Sequence, residues 1–391
     1  MSSNWNSEDE KIILDTIDKW VEKEVRPIAN QMDNDDEYPH ALVEQMKELG
    51  LFGAIIKEEY GGLGLSATTY TKIVTKVTSA WMAISGIFNS HLIMASAIQR
   101  DGTEAQKQYW LPKMATGELR GGVGLTEPNA GTDLQAIRTR AVKDGDEYVL
   151  NGAKTWITNS LYGNCLMVLS KTDPDAQPRY KGMSAFLVKT KDDNGQPLPG
   201  FGIKKMKKMG YRSIDTCELT FEDFRVPADT LIGEVEGKGF FNTVGGLELG
   251  RLNVAARGAG VAQGALDLAV RYAQERETFG KPICEHQAIQ LKLGEMACRV
   301  EASKLLIEQA AIKYDSGERC DLEAGMAKYF ATEAGQFCAE EGMRIFGGYS
   351  LSVEYDIERY YRDSMLLVIG EGTNEMQRII IAKQLVERNK I

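Results

Sequence analysis

Residues able to do chemistry are scarce in this 391-residue chain, and the scarcity narrows the choices. There are three histidines, His40, His91 and His286, far apart in sequence. The six cysteines (Cys165, Cys217, Cys284, Cys298, Cys320 and Cys338) include no C-x-x-C pair. That distribution fits reduced thiols and argues against a disulfide framework or a His/Cys metal centre. No metal ligand is assigned. Catalysis by histidine stays open, but a general base is expected to be a carboxylate, or the chemistry to belong to a bound cofactor. One carboxylate stands apart: Glu371 in Ile369-Gly370-Glu371-Gly372-Thr373-Asn374-Glu375. Flanking glycines give it an adaptable backbone, and Thr373 can cap a helix that follows.

Four further segments have the residue types that hold a cofactor. Gly124-Leu125-Thr126-Glu127-Pro128-Asn129-Ala130-Gly131-Thr132-Asp133 is rich in backbone donors and hydroxyls, and suits a ring system, a phosphate or an ordinary turn. Trp156-Ile157-Thr158-Asn159 presents an aromatic that can cover a sheet or a planar ligand. Arg276-Glu277-Thr278-Phe279-Gly280-Lys281-Pro282, followed by His286-Gln287, carries a permanently charged arginine suited to a diphosphate, or a helix stopped by Gly280. Arg344-Ile345-Phe346-Gly347-Gly348-Tyr349 has paired glycines that allow close backbone approach, or end a helix in a turn. Three other patterns are set aside. The glycines of Gly258 to Gly264 lie inside a helical pattern and read as helix packing, since a dinucleotide loop needs a preceding strand. Gly233 to Gly239 reads as a turn. Lys204 to Lys208 reads as a solvated strand or loop.

The elements that must position these residues fall into three textures. Residues 1–119 read as a helical domain. Ser7 with Glu8-Asp9-Glu10 marks a helix start, Pro39 and Gly50 bracket a second helix, and helical spacing runs from Thr69 to Ile98 and from Thr103 to Gly117. Residues 120–235 read as an antiparallel β domain. A hairpin is expected at Glu147–Thr158 with Asn151-Gly152 as its type I′ turn, and strands at Cys165–Ser170, Ser184–Val188 and Glu218–Phe224. Residues 236–391 are helical again, with bundle spacing from His286 to Ala310, from Asp321, and from Thr373 to Val386. The fold class is therefore α+β multidomain: an N-terminal helical bundle, a middle β domain and a C-terminal four-helix bundle.

Charge supports the same reading of partners. Lys plus Arg is 46 and Asp plus Glu is 56, a net charge of −10. An acidic chain is repelled by nucleic acid and by anionic membrane surfaces. No stretch approaches a membrane span, and the polar N-terminus is neither a signal nor a transit peptide. The expected location is cytoplasmic, or the mitochondrial matrix for a mature eukaryotic form.

Taken together and in order, the five segments resemble one family, the FAD-dependent acyl-CoA dehydrogenases, over essentially the whole chain. The resemblance implies FAD as cofactor, with Leu125, Thr126, Gly131 and Thr132 along the flavin ring and diphosphate. It implies Trp156 packing over the flavin, Thr158 near its N5, and Thr373 and Glu375 on the flavin side of the site. Arg276, Thr278, Phe279 and Gln287 would reach the FAD of a neighbouring subunit in a homotetramer, and Arg344, Gly347 and Gly348 would also contact the cofactor, Arg344 at its diphosphate. The family commonly has Gln at the position of Arg344 and Ser at that of Thr132. Thr132, Arg251, Gly370 and Gly372 are implied as substrate contacts.

In such enzymes a glutamate takes the α-proton of an acyl-CoA thioester, the β-hydride passes to flavin N5, and electrons leave to an electron-transferring flavoprotein. Glu371 occupies the base position; the alternative place used by some members is Gly250 here, which cannot act. Gly370 stands where many straight-chain enzymes have Tyr, which is compatible with a branched, cyclic or aryl acyl group. Met82 stands where glutaryl-specific members carry Arg, which disfavours glutaryl. Phe88, Asn89 and His91 read as helix-core residues more than as pocket lining. The other functions weighed are an oxidase-type flavoenzyme using oxygen and a catalytically idle CoA-ester-binding homologue.

Overall fold

The computed structural model describes residues 6–245 and 247–390; Met1 to Trp5, Gly246 and Ile391, and with them part of the N-terminus discussed above, lie outside the described residues. The chain runs helical, then β, then helical. The first region holds α1 (Ser7–Trp20), α2 (Arg26–Asp35), α3 (His40–Glu48), α4 (Ala67–Ala80), α5 (Met82–Asp101) and α6 (Glu104–Ala115). Asn6, not Ser7, caps α1, in a capping box with Asp9. Thr103 and Gln106 form the same device at α6.

The single helix expected from Thr69 to Ile98 is two helices. Trp81 leaves helical geometry (φ −159°, ψ 111°) between α4 and α5. No Gly or Pro marks the break. Instead, residues 279 and 281 positions away satisfy the carbonyls it frees: Arg359 Nη1 donates to Ala80 O at 3.0 Å, and the Tyr360 hydroxyl donates to Ser79 O.

The middle region is a seven-stranded sheet in the order β1-β4-β2-β3-β7-β6, with β5 paired to β4. The strands are β1 (Gly121–Gly124), β2 (Arg140–Asp144), β3 (Glu147–Thr158), β4 (Cys165–Lys171), β5 (Met183–Lys189), β6 (Phe201–Lys205) and β7 (Thr216–Pro227). Most neighbours are antiparallel, but β1 and β2 pair with β4 in parallel, so the sheet is mixed. Asn151-Gly152 is not a turn. It lies inside the continuous strand β3, at a register shift, and the hairpin turns at Gly145 (φ 63°). Gly152 is needed because a Cβ there would sit 2.6 Å from Thr139 Cα. The lysine run is not wholly solvated either. Lys205 pairs with Asp36 at 2.8 Å. Lys208 donates to Ile214 O and Thr216 Oγ1 over the Tyr211 ring, and burial pushes its pKa down to about 8.

The last region holds the short α7 (Gly239–Val244), α8 (Leu247–Glu275), the two-residue strands β8 (Glu277–Thr278) and β9 (Lys281–Pro282), α9 (Gln287–Asp315), α10 (Asp321–Phe346), α11 (Ile357–Ile369) and α12 (Asn374–Arg388). Helix α8 is the axle, packed chiefly on α10 and α4. The Gly258–Gly264 run makes this possible. A Cβ at Gly258 would meet Ala331 O at 2.6 Å, one at Gly260 Thr78 Cβ at 2.6 Å, and one at Gly264 Ser79 O at 2.4 Å. Gly335 on α10 lies over Gly258 in return. Among the described residues no helix is long and apolar enough to cross a membrane.

Candidate active site

Glu371 sits in a strained two-residue turn between α11 and α12. Gly370 closes α11 through its N–H to Leu366 O (2.7 Å), and Glu371 (φ 53°) and Gly372 (φ 87°) are both left-handed. For a residue with a Cβ that geometry costs about 1–2 kcal/mol, so the surroundings must enforce it. They do so from α10. Buried Lys328 donates to Gly372 O (2.9 Å) and Asn374 Oδ1 (2.8 Å), and Gln377 Nε2 adds a bond to Gly372 O at 3.2 Å. Burial pushes Lys328 down to about 8. Thr373 caps α12, accepting from Met376 N at 3.3 Å.

The carboxylate itself points inward. Its Oε1 accepts from Asn89 Nδ2 of α5 at 2.9 Å, while Oε2 is buried with no hydrogen-bond partner. Burial raises the pKa of Glu371; Arg257, the Asn89 bond and Lys328 oppose the rise without cancelling it. A Cβ placed on Gly250 of α8 would lie 2.9 Å from Oε2. The two chain positions considered for a base therefore converge on one point in space, and the missing side chain at 250 makes room for the carboxylate from 371. Glu248, two residues earlier, is partly buried, which raises its pKa, with Arg251 opposing the rise. Arg251 is largely buried, with its Nε unpartnered.

The flavin-side segments of the sequence also meet. Lys154 Nζ of β3 donates to Leu125 O at 3.1 Å, and Thr155 N to Thr126 O at 2.9 Å. These bonds lay the loop after β1 against the β3 bulge. There Trp156 takes φ 62° and stands 58% exposed, with Thr158 two residues on. The anchor beneath is an ion pair that sequence reasoning left without a role: Glu127 Oε1 to Lys154 Nζ, 2.8 Å, both buried. Glu127 also accepts from Arg138 N and from Thr139 N and Oγ1. Lys154 holds Glu127 below the usual carboxylate range, while burial pushes Lys154 to about 8. Both remain charged at neutral pH. Gly131 and Thr132 lie exposed on the same loop, with open space where a Gly131 Cβ would stand.

A second cleft, of about 440 Å³, is lined by Arg276, Thr278, Gly347 and Gly348 with Tyr272 and Phe346. Arg276 lies over Tyr349 (5.6 Å), and Tyr272 stacks on Phe346 at 4.0 Å. Strands β8 and β9 form a hairpin around Phe279 (φ 52°) and Gly280 (φ 78°), the paired positive φ values expected at Asn151-Gly152 and found here instead. Phe279 stands 98% exposed at its tip. Thr278 and His286 touch at 3.1 Å, and Gln287 is exposed at the start of α9. Arg344 is not brought into the cleft: its guanidinium is taken by Glu340 (2.5 Å) and Glu341 (3.5 Å) one helical turn away. Glu375 is on the surface, paired with Arg378.

Of the α5 residues, Phe88 and His91 are core, as expected. His91 Nε2 contacts Phe52 O and Met114 O, and burial pushes its pKa down to about 4. Asn89 is the residue that sequence reasoning undervalued, since nothing local ties it to a carboxylate 282 positions away.

Family models for the acyl-CoA dehydrogenase N-terminal, middle and C-terminal domains match residues 7–118, 122–224 and 237–386. The chain is 39% identical over 383 residues to the mitochondrial short-chain specific acyl-CoA dehydrogenase of Bos taurus, covering 97% of this chain and 90% of the relative. It is 38% identical over 384 residues to the (2S)-methylsuccinyl-CoA dehydrogenase of Cereibacter sphaeroides, covering 97% and 70%. The butyryl-CoA dehydrogenase structure from Megasphaera elsdenii superposes with a TM-score of 0.91 at 35% identity, covering 99% of this chain and all of that one.

Proposed function

The chain belongs to the acyl-CoA dehydrogenase family of FAD-dependent oxidoreductases acting on CH–CH donors, and on that footing we propose that Glu371 is the base that removes the α-proton of a bound acyl-CoA thioester. The observation that carries this reading is the Oε2 atom of Glu371, buried and unpartnered, on a carboxylate held in a left-handed turn. A thioester α-proton is weakly acidic, so the base must be desolvated and poised above ordinary carboxylate acidity. Burial does that here. Asn89 fixes one oxygen and leaves the other to accept the proton. The backbone N–H of Glu371, turned by its positive φ, is free to donate to the thioester carbonyl as charge develops there.

The residues present fit FAD. A planar ring has a wall in exposed Trp156, and backbone at Leu125 and Thr126 with Thr158 beside it. Gly131 and Thr132 extend that loop, and Thr373 caps α12 next to the base. The Arg276–Thr278 and Gly347–Gly348 cleft suits the anionic diphosphate end of a cofactor, and its open face suits one held by a second copy of the chain, with Phe279 and Gln287 projecting outward. Arg344 would join it only by exchanging its Glu340 and Glu341 partners, and Glu375 only by leaving Arg378. When bound, FAD would supply the acceptor for the β-hydride, with an electron-transferring flavoprotein as the onward electron acceptor. Arg251, Gly370, Gly372 and Thr132 are the substrate-side positions in this reading. The assembly is a homotetramer. It works in the cytoplasm, a reducing compartment consistent with cysteines that are all free among the described residues.

The test is anaerobic bleaching of the flavin by acyl-CoA. Wild type bleaches; E371Q retains yellow FAD and loses about 10³-fold in the rate of bleaching, the scale of a missing general base. Equal rates in the two proteins would remove Glu371 from the mechanism.

A further inference from the structure

The acyl side of the site contains a buried cation, Arg257, that no carboxylate among the described residues meets at ion-pair distance; Glu371 acts on it only from further away. On α8, Gly250, Asn253 and Arg257 recur at spacings of three and four and so share one face. Gly250 stands against the Glu371 carboxylate, and a rise of 1.5 Å per residue sets Arg257 roughly 10 Å further along the helix. Opposite, α5 presents Ile93, Asn89 and Gly86 at the same spacing. Ile93 neighbours Gly250, Asn89 reaches Glu371, and Gly86 makes the notch for Tyr211, whose hydroxyl would lie 1.6 Å from a Cβ there. The Arg257 guanidinium lies over the same Tyr211 ring, 4.9 Å from its centroid. Two helix faces thus lead from the reacting carboxylate to a floor of Tyr211 and Arg257.

That floor is polar and unsatisfied. Arg257 is 2% exposed, and its Nε and Nη2 have no hydrogen-bond partner. Asn89 Oδ1 and Asn253 Oδ1 are buried without partners too, while Asn253 Nδ2 is held by the Tyr70 hydroxyl at 2.6 Å. A buried guanidinium with no anion in hydrogen-bond contact is costly, and a hydrocarbon tail would leave it so. A carboxylate is its bidentate complement. Met82, where a distal carboxylate could have been expected to find an arginine, is buried and apolar; the cation comes from α8 instead.

We propose that the acyl pocket takes the mono-CoA thioester of a short dicarboxylic acid, with Arg257 receiving the distal carboxylate and Asn89 and Asn253 flanking it. The acid is short because Arg257 lies only about two helical turns of α8 from Gly250, which stands against the Glu371 carboxylate, roughly 10 Å along the helix axis. This rests on Glu371 acting on an acyl-CoA, and the test separates the two claims.

Holoenzyme, R257M and R257K are assayed with three matched pairs: succinyl- and butyryl-CoA, 2-methylsuccinyl- and 2-methylbutyryl-CoA, glutaryl- and valeryl-CoA. The readouts are anaerobic flavin bleaching and kcat/KM with an artificial acceptor. Wild type is expected to favour the carboxylated member of at least one pair. R257M should lower that preference about 100-fold, the scale of truncating one partner of a buried charge pair, and R257K should recover part of it. Preference for the neutral member in every pair overturns the proposal while leaving Glu371 as base. Equal losses on both members in R257M also overturn it, because Arg257 would then act only through the base. Bleaching by none of the six overturns both claims. If R257M fails to fold, the wild-type preference and its response to R257K decide.

Discussion

Asn89 is one side chain with two effects on the proposed base: it orients the Glu371 carboxylate and stabilises its charged form. Burial holds the Glu371 pKa above the ordinary carboxylate value, so kcat/KM falls as pH drops through that raised pKa and the carboxylate protonates. The groups facing it are Asn89 from α5, Arg257 from α8 and Lys328 from α10, each favouring the charged form. Removing the Asn89 donor in N89A therefore raises the pKa further. We expect the acid limb of kcat/KM to move to higher pH, with the flavin still bound, when measured on a neutral thioester. A limb that stays in place or moves down would show that the bond does not act on the proton. At this scale the sequence was legible where chemistry and local backbone coincide. Glu371 between two glycines announces an unusual turn, and the turn is there. Asn89, Arg257 and Lys328 announce nothing, because each sits in an ordinary helical pattern and acquires its meaning only from residues on other elements. Arg344 is the converse case: its local acids, Glu340 and Glu341, were readable at i−4 and i−3, and they are the partners its guanidinium has here.

Among the elements, α8 shows why glycine count and helix propensity can diverge. Gly264 lies 2.4 Å, measured from a hypothetical Cβ, from Ser79 O, whereas Gly294 on α9 has nothing within 4 Å. In a helix, Gly to Ala is favourable by about 1 kcal/mol on propensity alone. G294A should therefore raise stability by about that amount. G264A should lower it by about 1–3 kcal/mol, because the added methyl forces α8 off the carbonyl that ends α4. Thermal melts of the two variants, run as holoenzyme, should shift in opposite directions; a rise in both would mean that the α8 crossing yields easily. The helices and most strands followed from periodicity, as did the packing role of Gly258 to Gly264. What periodicity missed has one cause in each case. The break at Trp81 is made by Arg359 and Tyr360 from far along the chain. The Asn151-Gly152 pair is overruled by Thr139 pressing on the backbone, and a primed turn forms instead at Phe279-Gly280, where Phe is a poor guide to positive φ.

The whole molecule leaves a large aromatic in water. Phe279 stands 98% exposed beside the Arg276 cleft, and Tyr349 and Leu351 add apolar surface at the cleft's Gly347–Gly348 edge. If a second copy covers this face and shares FAD across it, F279D should both dissociate the proposed tetramer in sedimentation and strip FAD on gel filtration. Loss of FAD from an intact tetramer would place Phe279 on the cofactor alone. The three-part layout was the easiest feature to read from sequence, since each part has its own texture; how the parts share a site was the hardest. The Tyr211 hydroxyl in the Gly86 notch shows how far that sharing goes. The proposed acyl floor takes its notch and amide from the first helical region, its aromatic plug from the loop after β6, and its arginine and carboxylate from the last. If that floor receives the acyl group, as proposed, its selectivity is not a property that can be moved with any single part. A chimera that exchanges the middle region with a relative's would keep every strand in place and still swap the plug under the substrate. Lineages diverging toward new thioesters would be pressed to change all three regions in concert.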